Sequence, residues 1–197
     1  MSDDVRRFWD AEAATFDQEP DHGLRDPLVR RAWRELLLAL MPPSPADILD
    51  LGCGTGSTAV LLADAGFRVQ GLDVSERMIA AAEAKADAAG VDVEFRVGDA
   101  AAPRYQPASV DVVLARHVVW ALPDPADALR RWIELLRPGG RLVLIEGRWS
   151  TGAGITASDC EVLVLQHRRE AVVHRLEDPA LWGREIDDER YALLSRE

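Results

Sequence analysis

The sequence predicts an α/β protein built on a doubly wound, mostly parallel sheet with helices on both faces. Three observations lead there. Short apolar runs alternate with helical stretches from residue 46 onward, the first run enters a glycine-rich turn that opens a helix, and two further β-like runs close the chain. With 197 residues, 48% hydrophobic and 29% charged, the chain suits one domain with a sizeable core, residues 1–197. Residues 1–44 read as N-terminal helices and residues 45–197 as the body, with Pro42-Pro-Ser-Pro45 at the join.

The opening is arginine-rich and amphipathic, with Trp9, Phe16 and Trp33 as its large apolar side chains. Residues 47–51 form the first strand, 55–65 a helix and 67–72 the second strand. Residues 75–89 form an alanine-rich helix, with Ser75 as its N-cap and Gly90 as its stop. The third and fourth strands fall at 91–97 and 109–115, and a helix at 125–136. Pro138-Gly-Gly140 then turns the chain into a fifth strand at 141–146. A helix is expected at about 155–167. The runs 171–176 and 190–195 read as a terminal hairpin joined by an acidic loop holding Pro179 and Trp182.

Charge and composition narrow the function classes. Against 34 acidic residues stand 23 basic ones, a net of −11, so a phosphate backbone or an anionic membrane would approach against the protein's own field. Neither nucleic acid nor membrane is expected as a partner. Two cysteines, Cys53 and Cys160, make no disulfide framework and read as free thiols. The opening residues carry no apolar leader, and the longest greasy run, 36–41, is too short to span a bilayer, so a cytoplasmic location is expected. Abundant arginine and alanine beside a single lysine, Lys85, suggest a bacterial, GC-rich source.

Residues 48–57, Ile-Leu-Asp-Leu-Gly-Cys-Gly-Thr-Gly-Ser, carry the chemistry. Glycines at 52, 54 and 56 let the backbone bend and approach a ligand, and the next helix offers free N–H groups to an anion. Serine at 57 breaks the dinucleotide G-x-G-x-x-G spacing, and no phosphate-loop lysine follows. Three successive strands end in acids: Asp50, Asp73 and Asp99. Side by side along the ligand crevice of an open sheet, they call for a ligand rich in hydrogen-bond donors. Ribose hydroxyls at Asp73, an exocyclic amine at Asp99 and a cationic head group at Asp50 describe S-adenosylmethionine (SAM).

On these residues the chain resembles the class I SAM-dependent methyltransferases, in particular their small-molecule, ubiquinone/menaquinone-methyltransferase-like branch. Residues 49–56 are similar to the family's first motif, Gly71-Leu-Asp-Val-Ser75 to its ribose-binding strand end, Gly98-Asp-Ala100 to its adenine-side motif, and residues 136–142 to its late turn. The resemblance implies a Rossmann-like seven-stranded sheet, mostly parallel with the last strand antiparallel, under N-terminal lid helices. It implies SAM as cofactor and S-adenosylhomocysteine as product. It further implies that Gly52, Gly54 and Gly56, with Cys53 between them, line the methionine part. Asp73 and Val74 would hold ribose and adenine, and Gly98, Asp99 and Ala100 would border the adenine. Met78 is a core residue touching the adenosine edge, and Cys53 is assigned no chemistry.

An activated sulfonium methyl needs chiefly an oriented, desolvated nucleophile. The resemblance places the end of the fourth strand between the methyl group and the acceptor. His117 there has the chemistry of a base or of an orienting hydrogen-bond partner, the structural alternative being a ring packed on Trp120. Arg116 joins the cofactor-side set and is suited to gripping an anionic acceptor. Phe16, His22 and Arg25, around a hinge at Gly23, are lid candidates for substrate binding, as are Trp120, Arg148 and Trp149 on the sheet side. His167, His174 and the acidic run 185–189 read as surface. With no asparagine in the chain, the metal-dependent family pattern is not met and no metal is expected. The reading is transfer of the SAM methyl group to oxygen or nitrogen of a small-molecule acceptor, by a monomer or homodimer. The alternatives are a SAM-binding regulatory or scaffold protein and a macromolecule methyltransferase.

Overall fold

The computed structural model describes residues 3–196; Met1, Ser2 and Glu197, the ends of the expected domain, lie outside it. Four short elements precede the sheet: α1 (Asp3–Glu12), a 3-10 turn (Phe16–Gln18), α2 (Pro20–Gly23) and α3 (Pro27–Leu40). The body runs β1 (Asp47–Leu51), α4 (Ser57–Asp64), β2 (Arg68–Asp73), α5 (Glu76–Ala89), β3 (Val93–Val97) and β4 (Val110–Arg116). It continues with α6 (Pro125–Glu134), β5 (Leu136–Arg148), α7 (Ala157–Leu165), β6 (Val172–Arg175), α8 (Pro179–Trp182) and β7 (Glu189–Ser195).

The seven strands form one sheet in the order β3-β2-β1-β4-β5-β7-β6. Pairs from β3 to β5 are parallel, and β7 inserts antiparallel between β5 and β6, as expected of the terminal hairpin. The chain order reverses at β1, flanked by β2 and β4, and ligands of such sheets bind outside the strand ends at that switch point. Successive residues of β1 and β4 bury on opposite faces. Ile48, Val112 and Leu114 join Trp33, Leu37 and Leu61 on one side, whereas Leu49, Val113 and Ala115 join Leu129 and Trp132 on the other. That alternation makes the central strands continuous apolar runs.

Local signals act as expected. The Ser75 hydroxyl accepts from Met78 N, and Gly90 closes α5 in the left-handed region. Two expectations need correction. The stretch around Pro179 and Trp182, expected as part of an acidic loop, is a capped helical turn with Leu181 and Trp182 buried. The Trp33 indole donates to Leu181 O at 2.6 Å, and Trp182 meets Trp33 edge to face at 5.5 Å. Trp33 therefore belongs to the core and not to a lid. The fifth strand starts at Leu136, because the Pro138–Gly140 turn is drawn into the β4 pairing as an irregularity. Among the described residues no helix is long and apolar enough to cross a membrane.

Candidate active site

The glycine loop hangs from β1 and is pinned to β2, with the amides of Gly52 and Cys53 both donating to Leu72 O at 2.7 and 3.0 Å. Gly52 has φ +72, and a Cβ there would stand 2.4 Å from a Val118 methyl carbon, so no side chain fits. Gly56 has φ +75, and a Cβ there would stand 2.7 Å from the Ala82 methyl. Its bare backbone serves the packing of α4 on α5. The Asp73 carboxylate ties the loop down, taking Gly54 N on one oxygen and Ser75 N on the other, each at 2.9 Å. Burial raises the Asp73 pKa, and these amides oppose the shift.

Beside this loop lies a cavity of about 330 Å³. One half of it is walled by Asp50, Gly52, Cys53 and Gly54, then by Asp73, Val74, Met78 and Ala100. Three expected cofactor residues stand elsewhere. Gly56 is spent on packing, while Gly98 and Asp99 line a neighbouring cavity with Arg96, Arg104 and Tyr105. A Cβ at Gly98 would meet the Leu72 side chain at 2.6 Å, and Asp99 accepts from Ala101 N, so both serve the turn after β3.

The other half is aromatic. Phe16, His22, His117, Trp120 and Trp149 line it, and so does Trp9, which lies in the segment expected as a lid but was not named as a site residue. Phe16 stacks on His22 at 4.3 Å, His117 meets Trp149 edge to face at 5.2 Å, and Trp120 meets Trp149 at 5.4 Å. The Trp120 indole donates to the His117 carbonyl, so the His117 ring packs on Trp149 and not on Trp120. Arg25 and Arg148 are not part of this wall. Arg25 reaches toward Asp17 at 3.8 Å, and Arg148 donates to Gly154 O at 3.1 Å.

Three aspartates fasten the N-terminal segment over the cavity. Asp10 accepts from the Ser75 hydroxyl at 2.6 Å. Asp17 takes Thr55 Oγ1 and, at 2.9 Å, the ammonium of Lys85, which also donates to Ser57. Asp21 meets Arg116 at 2.7 Å. Arg116 also lines the cavity, but its guanidinium lies over the Trp33 ring at 4.2 Å and its charge is paired with Asp21 of the N-terminal segment. The expected grip on an anionic acceptor is taken by Asp21.

His117 has φ +58, a left-handed conformation uncommon for a residue other than glycine. The turn is fastened from β5: His117 N donates to Ile145 O at 2.8 Å, and the amides of Val118 and Val119 donate to Glu146 Oε1 at 2.8 and 2.7 Å. Burial, then the Arg116 charge, hold the imidazole well below its ordinary pKa, so it is neutral. Its Nε2 is buried with no hydrogen-bond partner among the described residues.

Asp50 Oδ2 is likewise buried and has no partner among the described residues. Desolvation pushes its pKa up to about 7, with Arg116 pulling down and Asp73 pushing up. An orphaned buried carboxyl, a loop too tight for side chains and an acid at the next strand end fit the donor set of SAM. A cationic ligand beside Asp50 favours its ionised form. Affinity for S-adenosylhomocysteine is therefore expected to rise from pH 6 to pH 8 by roughly tenfold and to flatten above the Asp50 pKa. Calorimetry at the two pH values checks this, and in Asp50→Asn the dependence should disappear.

Sheet order, glycine loop and strand-end acids define the class: a doubly wound α/β protein that seats a nucleoside ligand at its switch point. Residues 49–144 match the methyltransferase domain family. Over these residues the chain carries a methyltransferase domain of the class I SAM-dependent kind, whose cofactor is SAM. It is 33% identical over 141 residues to the ubiquinone biosynthesis O-methyltransferase of Xanthomonas axonopodis pv. citri, covering 71% of this chain and 56% of that one. It is 35% identical over 118 residues to the tRNA 5-carboxymethoxyuridine methyltransferase of Escherichia coli K12, covering 57% of this chain and 45% of that one. The chain thus spans about half the length of these relatives. Among solved structures it is similar in fold to the (4+2)-cyclase SpnF, with a TM-score of 0.72 and 21% identity over 84% of this chain and 80% of that one.

Proposed function

We propose that the chain transfers the methyl group of SAM to an oxygen or nitrogen atom of a small-molecule acceptor by in-line displacement. The observation that carries this reading is the single cavity walled at one end by Asp50, Gly54 and Asp73 and at the other by His22, His117 and Trp149. At about 330 Å³ it is of small-molecule size. Bound in the first half, SAM supplies an already activated methyl group, so the protein's share is orientation and exclusion of water. The aromatic wall receives a flat or apolar acceptor. The neutral His117 ring offers a lone pair or an N–H to its nucleophilic atom, and the aspartate-fastened lid keeps solvent out.

Oxygen as the methylated atom is supported by the O-methyltransferase relative; a tRNA acceptor suits the net charge of −11 and the roofed cavity poorly. Two free thiols accord with a reducing, cytoplasmic setting. The test is a radiolabelled-SAM transfer screen over hydroxylated, carboxylated and amine-bearing metabolites, with unmodified tRNA included. Label moving only to tRNA, or cofactor binding without transfer to any acceptor, would replace this reading by the macromolecular or the regulatory one. In the same assay Asp73→Ala is expected to weaken S-adenosylhomocysteine binding roughly ten- to hundredfold, the worth of charge-assisted bonds of about 1.5–3 kcal/mol. Unchanged affinity would remove Asp73 from the ribose subsite.

A further inference from the structure

We propose that Asp21, His22 and His117 form a binding site for one divalent first-row transition-metal ion, of the Zn²⁺ or Co²⁺ kind, which fastens the lid to the end of β4. It goes beyond the methyl-transfer reading and does not depend on it. One donor atom from each residue lies within 4.8 Å of the others. His22 Nε2 is 3.6 Å from Asp21 Oδ2, too far for a good hydrogen bond and close to the spacing of two ligands on one ion. At about 2.0–2.2 Å from each donor, an ion needs only side-chain adjustment to gather all three.

The second observation is independent. His117, a member of this cluster, has its Nε2 buried with no hydrogen-bond partner among the described residues. A buried imidazole nitrogen is otherwise paired in nearly all proteins. An imidazole ligates through the lone pair of one ring nitrogen, and the cluster supplies two such rings. Their planes are already fixed, His22 by stacking on Phe16 and His117 by Trp149.

The neighbouring positive charges are answered. Arg116 is paired with Asp21 and Arg190 with Asp188 at 2.7 Å. A carboxylate has lone pairs for both a guanidinium and an ion, and such an outer hydrogen bond is the usual means of aiming a ligating carboxylate. Two imidazoles and one carboxylate suit first-row transition ions better than Mg²⁺ or Ca²⁺, and three protein ligands leave coordination positions open toward the cavity. The sequence-based expectation of no metal rested on the lack of asparagine, which this donor set does not use.

The test uses untagged full-length protein stripped with chelator and titrated with Zn²⁺ by calorimetry and with Co²⁺ by visible absorption. One ion per chain is expected, with a ligand-field band. His117→Asn, which tolerates the left-handed backbone, and His22→Gln should each weaken binding at least tenfold. Asp21→Asn should weaken it too, and the exposed pair His167→Ala/His174→Ala should leave it unchanged. No saturable binding, binding indifferent to both core histidines, or binding lost with the exposed pair would overturn the site. S-adenosylhomocysteine titrated into the same samples keeps the two readings apart: intact nucleoside binding without metal binding sinks only this proposal.

Discussion

Arg116→Met is expected to destabilise the protein by about 3–5 kcal/mol, measured by urea unfolding in the presence of chelator. The side chain is 9% exposed and its partner Asp21 10%, so the substitution leaves a carboxylate without its counter-charge in an interior that cannot hydrate it. The guanidinium also covers the Trp33 ring, adding a cation–π contact at the same residue. For a chain of this length the loss corresponds to a fall in Tm of about 10 °C. The double variant Arg116→Met/Asp21→Asn should recover much of it, because an ion pair replaced on both sides avoids the stranded charge. A single-variant loss below about 1 kcal/mol would mean that the pair is solvated and that the lid is open in solution.

The fold was legible because its signals are local and repetitive. Alternation of β runs with helices, the N-cap at Ser75, the stop at Gly90 and the closing hairpin all sit where the sequence put them. What misled was context. The acidic surroundings of Trp182 read as loop, yet a partner 149 positions away, Trp33, draws it into the core. In the site, Asp50, Gly54, Asp73 and His117 followed from strand ends, which a parallel sheet brings together by construction. The misplacements come from packing and pairing that no motif encodes. Gly56 and Gly98 are glycines because Ala82 and Leu72 press against them, and Arg116, though on the cavity wall, has its charge taken by Asp21, ninety-five positions earlier. Trp9 had the amphipathic pattern of any surface helix. The bonds of Asp10 to Ser75 and Arg77 hold that helix over the cavity.

Glu146→Gln is expected to stabilise the protein, by an amount that grows with pH. Fully buried at the end of β5, Glu146 has its pKa raised to about 8 by desolvation, against the pull of the Val118 and Val119 amides. The unfolded chain ionises this group near its ordinary value of 4.5, whereas the folded chain holds the proton to about 8. Between these values the folded state binds more protons, so wild-type stability from this group falls as pH rises and levels off above pH 8. Glutamine is neutral throughout and keeps an oxygen for the two amides. The gap between variant and wild type should be near zero at pH 4.5 and reach about 3 kcal/mol by pH 7, seen as diverging urea midpoints. A gap that stays constant with pH would show that Glu146 is ionised in the folded protein. Glu146→Ala separates charge from anchoring, since it strands both amides and should destabilise at every pH. It also frees the turn that carries His117 and presses Val118 against Gly52, so it should weaken S-adenosylhomocysteine binding as well, which glutamine should not. A carboxyl outside the cavity wall would then be what holds the acceptor-side histidine and the glycine loop in register.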